Sequence, residues 1–258
     1  MGTSYPFTSA LVTGASSGIG AAMVELLAEA GVPTVAIARR KDRLDALAAR
    51  HPKLVEVMVA DLETDKGVRA VCDRIAADGT DLVVNNAGFG TSGTFHTLDA
   101  DRLDREVRLN IGALTRISHA ALEVMVPRRR GFLLNVSSVA SFQPAPDLAV
   151  YAATKAYVTS FSESIHEEVR GDGVHVTALC PGLTRTEFID VSNMSGERTE
   201  FPSFMWLEAK EVAEEALHDV AKGRALSVPG AIYKSMSLAS SMTPRGIARR
   251  LSGMVRRA

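Results

Sequence analysis

This sequence of 258 residues is poor in the groups that staple or anchor small proteins. It has two cysteines, Cys72 and Cys180, too few and too far apart for a disulfide framework or a cysteine-rich zinc site. Its 6 histidines form no HxH or HExxH pair, so no metal centre is expected. No run approaches the roughly 18 uninterrupted apolar residues of a membrane span. No Lys or Arg precedes Arg39, so the basic start of a secretory signal is missing. Met1 and Gly2 resemble a myristoylation start, but Pro6 stands where that signal needs Ser or Thr. The cytoplasm is the expected address. A formal net charge of −1 gives no reason to expect a nucleic-acid partner. Acidic residues stop at Asp219, while Lys and Arg continue to Arg257, so an acidic body precedes a basic end.

Hydrophobic residues make up 46% of the chain and charged ones 23%, enough apolar material to bury a core without staples. Short apolar runs alternate with longer amphipathic ones. Strands are expected over 9–13, 34–38, 54–60, 81–85, 131–136, 174–179 and 225–228. Helices are expected over 21–30, 41–50, 65–77, 100–126, 149–170 and 208–222; in the first, Met23, Leu26, Leu27 and Ala30 share one face. This alternation predicts right-handed βαβ units and an α/β, doubly wound Rossmann fold. Its parallel sheet would have about seven strands, with helices on both faces. Residues 1–243 read as a single dinucleotide-binding and catalytic domain, and 244–258 as a basic amphipathic tail. Two longer connections, 138–148 and 181–207, follow strands at the edge where open α/β sheets bind ligands.

Three motifs carry chemistry. Thr13-Gly14-Ala15-Ser16-Ser17-Gly18-Ile19-Gly20 joins the first strand to the first helix. Its glycines suit a tight turn, close backbone approach to a pyrophosphate, and close helix–strand packing, and the helix N-terminus offers free N–H groups. At the end of the second strand stand Arg39 and Arg40, with no carboxylate. An NAD site favours an acid there for the ribose 2′-OH, whereas Arg suits a 2′-phosphate, so NADP(H) is expected ahead of NAD(H). Tyr151 and Lys155 are four apart and share a helical face. An ammonium beside a phenol favours the phenolate, which makes Tyr151 a candidate acid/base near neutral pH.

Taken in order and spacing, Thr13 to Gly20, Asn85-Asn86-Ala87-Gly88, Asn110, Ser138, Tyr151, Lys155 and Pro181-Gly182 resemble the short-chain dehydrogenase/reductase family, in its NADP-preferring single-domain branch. The likeness covers about residues 8–230. It implies that Tyr151 is the general acid/base and that Lys155 lowers its pKa and holds the nicotinamide ribose. Ser138 rather than its neighbour Ser137 would polarise the substrate carbonyl, and Asn110 would support a proton relay to Lys155. For the cofactor it implies contacts from Gly14, Ser16, Ser17, Gly18, Ile19 and Gly20, from Arg39 and Arg40, and from Asp61 and Leu62 at the adenine. Asn86, Ala87 and Gly88 would follow the adenine ribose, with Asn85 structural. Pro181 and Gly182, with Thr184 or Thr186, would hold the carboxamide. Some NADP users carry Lys or Arg inside the glycine turn, where this chain has Ser17.

The resemblance implies hydride exchange between a nicotinamide and an alcohol/carbonyl pair, with ketone reduction by NADPH as the expected direction. Phe188, Ile189, Met194, Phe201, Phe204, Met205 and Trp206, with Phe89, Phe95 and Phe142, either line a pocket for a bulky apolar substrate or close onto the protein's own core. A different class of function is an NADP(H)-binding sensor or scaffold without turnover. Family members are mostly dimers or tetramers built on the helices over 100–126 and 149–170, so a homodimer or homotetramer is expected. In the tail, Ile247, Leu251, Met254, Val255 and Ala258 form an apolar stripe opposite Arg245, Arg249 and Arg256. Such a stripe suits either packing on protein or peripheral contact with anionic lipid.

Overall fold

A computed structural model describes residues 4–192 and 201–243, together with Gly246. The apolar runs become strands β1 (Ala10–Thr13), β2 (Thr34–Ala38), β3 (Val55–Val59), β4 (Leu82–Asn85), β5 (Gly131–Val136) and β6 (Val174–Leu179). Two short strands, β7 (Thr184–Arg185) and β8 (Leu207–Glu208), pair only with each other, and β9 (Leu226–Ser227) closes the series. The main sheet has 7 strands in the order β3-β2-β1-β4-β5-β6-β9, every neighbouring pair parallel. Every residue of β1, β4 and β5 is buried, because helices cover both faces and the central strands need no polar side.

The amphipathic runs become α1 (Gly18–Glu29), α2 (Lys41–Arg50), α3 (Asp65–Asp78), α4 (Ala100–Val107), α5 (Leu114–Met125) and α6 (Ala149–Val169). They are followed by α7 (Phe188–Val191), α8 (Ala209–Ala221) and α9 (Ala231–Met242). Met23 and Leu27 of α1, Leu44 of α2 and Leu217 of α8 pack with Val12 and Val84 on one face of the sheet. Val71 and Ile75 of α3, Ile117 of α5 and Ile165 of α6 pack with Leu11, Val83 and Leu133 on the other. Successive strand residues thus serve opposite layers. Each fully buried Leu or Ile contributes roughly 1.5–3 kcal/mol.

The helix expected over 100–126 is interrupted. Residues Arg108–Ala113 form a π-helical turn between α4 and α5, a local widening that recurs at functional sites, and Asn110 lies within it. The 21–30 helix starts earlier, at Gly18, and the strand expected over 225–228 is reduced to Leu226–Ser227. The helix α9 and the β7–β8 pair have no counterpart in the sequence reading. The tail expected over 244–258, and Met194, lie outside the described residues, Gly246 excepted. Among the described residues no helix is long and apolar enough to cross a membrane.

Candidate active site

The chain runs from β1 outward through β2 to β3, then returns to start β4 on the other side of β1. That reversal leaves a crevice beyond the strand ends, the usual ligand position in such sheets. Here it is a cleft of about 490 Å³. Its lining includes Gly14, Ser16, Ser17, Gly18, Ile19, Arg39, Arg40, Asp61, Leu62, Asn86, Ala87 and Gly88 on one side. Ser138, Tyr151, Lys155, Pro181, Gly182, Thr184 and Thr186 line the other side. Gly20 lies in α1 just behind the turn, and Asn110 meets the lining from behind.

The glycine turn is tight. Gly14 has φ +67°, and a Cβ there would lie 2.9 Å from Ala87 Cα, so this position requires glycine. A Cβ on Gly20 would lie 2.6 Å from Gly14 O, so close packing of α1 on the turn requires the second. Asn86 Nδ2 ties the turn down by donating to Thr13 O (3.0 Å) and Gly14 O (3.2 Å). Asn85 faces away from the cleft, donating to Asn135 Oδ1 (2.9 Å) and Ser118 Oγ (3.0 Å), as a structural residue would. The N-cap of α1, Ser17, makes no side-chain cap and the first turn holds no acid. Its N–H groups therefore remain for an anion, which the positive end of the helix favours. The crevice, the uncapped helix and the glycine turn fit a dinucleotide.

The two arginines part company. Arg40 turns onto the glycine loop, donating to Ser16 Oγ (Nε 3.1 Å, Nη2 2.9 Å) and Ser17 Oγ (2.8 Å). Arg39 turns toward the strand beyond and pairs with Glu63 (2.5 Å). Glu63, just after Asp61 and Leu62, is a neighbour the sequence reading missed. So are Arg43 and Glu187, which pair at 2.7 Å.

Tyr151 and Lys155 sit side by side on the buried face of α6. Lys155 Nζ lies 5.7 Å from the centre of the Tyr151 ring and donates to Val136 O at 2.8 Å. Burial pushes the Tyr151 phenol up to about 12, while the Ser138 hydroxyl beside it pulls the other way. Burial pushes the Lys155 amine down to about 8. Desolvation disfavours the charged form of each group, so it overrides the depression of the phenol expected from lysine proximity alone. Ser138 Oγ accepts from Ala140 N at 3.1 Å, which leaves its proton for another acceptor. Ser137 is turned away, donating to Lys155 O at 2.8 Å. From the π turn, Asn110 Nδ2 donates to Phe89 O (2.8 Å) and Thr154 Oγ1 (3.1 Å), and its Oδ1 accepts from Phe89 N (3.2 Å). Asn110 thereby joins α6 to the loop after β4.

Of the apolar residues expected to line a pocket, Phe89, Phe188 and Ile189 do so, joined by Leu148 and Val191. Phe142 packs with Cys180 and Tyr233 instead. Phe201 and Trp206 line a separate groove behind the glycine turn. Phe95 and Phe204 are exposed, and Met205 accepts a hydrogen bond at its backbone carbonyl from the Tyr233 hydroxyl. Among the described residues no group of three or more His, Cys, Asp or Glu is placed to hold a metal.

Fold and site together define an NAD(P)-dependent oxidoreductase acting on CH–OH and C=O groups. Residues 8–195 match the family described as short chain dehydrogenase, and the chain belongs to that family. It is 34% identical to an oxidoreductase of Myxococcus xanthus over 225 residues, 85% of this chain and 86% of that protein. A short-chain dehydrogenase of Sphingobium yanoikuyae, solved in complex with NADPH, superposes with a TM-score of 0.82 at 33% identity, covering 90% of this chain and 92% of that one. The bulky-bulky ketone specific alcohol dehydrogenase of Comamonas testosteroni superposes with a TM-score of 0.77 at 30% identity, covering 92% and 95%.

Proposed function

We propose that this enzyme reduces a ketone with bulky apolar substituents, using NADPH. The observation that carries the reading is Tyr151 itself. It is a buried phenol whose pKa is pushed up to about 12, so it holds its proton at neutral pH and faces an apolar cleft ready to donate it. The glycine turn Gly14–Gly20 and the α1 N-terminus would hold the pyrophosphate, and Arg40 with Ser16 and Ser17 the 2′-phosphate. Arg39 would border it, while Asp61 and Leu62 face the adenine and Asn86, Ala87 and Gly88 its ribose. Lys155 and Tyr151 would hold the nicotinamide ribose, and Pro181, Gly182, Thr184 and Thr186 the carboxamide. Bound there, the nicotinamide supplies the hydride.

The protein's own part is protonic and electrostatic. Tyr151 donates its proton to the substrate oxygen as that oxygen gains charge. Ser138, whose O–H lies beside the Tyr151 phenol, directs it at the same oxygen. Lys155, fixed by Val136 O, stabilises the phenolate left behind. Asn110 fixes the Phe89 loop against α6 and so sets the back wall against which Lys155 rests. Phe89, Phe188, Ile189 and Val191 shape an apolar substrate side, and the NADPH-bound and bulky-ketone relatives support both halves of the assignment. Exposed Val107 on α4 and Tyr157 on α6, at 40% and 37% exposure, support a homo-oligomer formed through those helices.

The test is Tyr151→Phe. It removes the proton carrier and nothing else, so NADPH affinity should stay within about twofold while turnover of bulky aromatic ketones falls by about two orders of magnitude or more. A variant with wild-type kcat would refute the chemistry. Wild-type protein that binds NADPH yet reduces no carbonyl would make it a sensor instead.

A further inference from the structure

The chain just after β7 lies across the glycine turn. A Cβ on Gly18 would come within 2.9 Å of Thr186 Cγ2, so residue 186 rests directly on the turn. The next residue, Glu187, reaches further out. Its Oε2 lies 2.8 Å from Arg40 Nη1 and its Oε1 lies 2.7 Å from Arg43 Nη1. Arg40 at the same time holds Ser16 and Ser17 with its other two nitrogens. Two guanidinium groups therefore converge on one small anion at the rim of the adenosine side, and one of them is itself braced by two hydroxyls. This geometry suits a phosphate, whose several oxygens accept from such forks.

We propose that Glu187 determines cofactor specificity: its carboxylate occupies the seat formed by Arg40 and Arg43, and the 2′-phosphate of NADP(H) binds by displacing it, with Arg43 passing to the phosphate alongside Arg40. The inference rests on the NADP reading above and adds two residues to it. The two arginines hold the Glu187 carboxyl below the usual carboxylate range, so it is an anion at neutral pH and repels a second anion brought to the same seat. NADH carries no group for the seat and leaves the three-residue lock intact. Displacement also reaches the substrate side. Glu187 is followed by Phe188, whose ring centre lies 5.4 Å from that of Tyr151, and by Ile189. Releasing Glu187 frees the segment that forms the apolar wall, so phosphate binding and wall position are linked through one short stretch of chain.

The experiment uses the full chain and calorimetric titration with four ligands: NADPH, NADH, adenosine 2′,5′-bisphosphate and 5′-AMP. The bisphosphate carries the 2′-phosphate without a nicotinamide. Glu187→Gln keeps the side-chain shape and removes the competing charge. It should tighten NADPH and the bisphosphate about two- to fivefold, the worth of one exposed ion pair, with NADH and 5′-AMP unchanged. Arg43→Ala should weaken NADPH and the bisphosphate by at least as much and spare the other two ligands. Glu187→Gln that leaves NADPH unchanged, or weakens it, overturns the proposal. The underlying reading fails differently: Arg40→Ala would then cost NADH as much as NADPH, and wild-type protein would bind the bisphosphate no more tightly than 5′-AMP.

Discussion

Replacing Lys155 with methionine should change how stability depends on pH, by an amount the structure sets. The Lys155 ammonium is buried and pushed down to about 8 from an ordinary value of 10.5. Between those two values the unfolded chain holds a proton that the folded chain has released. Stability therefore rises with pH across this window; the contribution is complete above pH 10.5 and is lost as pH falls through about 8. At 1.36 kcal/mol per pKa unit the swing is roughly 3 kcal/mol. Other groups titrate nearby with the opposite sign. Burial pushes up the Cys72 and Cys180 thiols and the Tyr151 phenol, so each of these contributions is lost as pH rises. The quantity to read is thus the difference between wild type and Lys155→Met, measured by urea unfolding in steps from pH 7 to 10.5. Methionine cannot donate to Val136 O, and the orphaned carbonyl costs about 1–3 kcal/mol. That cost is independent of pH and displaces the difference curve without tilting it. Wild type should gain roughly 3 kcal/mol on the variant between the two ends. A flat difference would refute the burial of a charged Lys155, whatever the variant does to turnover.

Arg40→Ala should raise the KM for NADPH about tenfold or more, as expected for a charge-assisted contact worth roughly 1.5–3 kcal/mol, with little effect on NADH. Arg39→Ala should do less, because Arg39 is committed to Glu63; equal effects of the two in steady-state kinetics would contradict the geometry. Glu106 on α4 is fully buried. Burial raises its pKa, against the pull of the Thr91 hydroxyl and the charges of Arg102 and Lys155. Its contribution to stability is therefore full below pH 4.5 and is lost as pH rises through the folded value. Glu106→Gln should raise Tm at pH 8 and have less effect at pH 5, as followed by circular dichroism. Tyr157 shares its hydroxyl with Thr115 Oγ1 at 2.9 Å, away from the cleft, so Tyr157→Phe should leave the pH–rate profile unchanged.

What the sequence makes legible follows from what repeats. The first six strands and the helices α2, α3 and α8 lie within one residue of expectation at each end, because these helices carry a periodic apolar face and the strands are short, mostly apolar runs bounded by turn residues. Where the period breaks, the reading broke too. The α1 helix begins at Gly18, inside a stretch that reads as a turn. Glycine is a poor helix former, yet a side chain at Gly20 would strike Gly14 O, so packing overrides propensity. The π turn Arg108–Ala113 inserts a shift of register within one apolar stripe, and that shift brings Asn110 to Phe89 and Thr154. The helix α9 has serines at 235, 237, 240 and 241, residues that favour caps and turns over helix interiors, and two-residue strands such as β7 and β8 have no period to read.

The site divides along the same line. Gly14, Ser138, Tyr151 and Lys155 are legible because the chemistry demands a residue type at a fixed spacing along one or two elements. The partners that decide how the site behaves are not spaced at all. Arg40 and Glu187 are 147 residues apart, and Arg43 and Glu187 are 144 apart. Nothing in either stretch marks one as the other's counter-ion. In the sequence Arg39 and Arg40 are equivalent, since both stand where a 2′-phosphate reader belongs. Only the fold turns one toward the glycine loop and the other toward Glu63. On the proposed reading, cofactor preference rests on the pair that Arg40 forms with Glu187, and substitution of that glutamate should tune it while every residue of the recognisable motif stays in place.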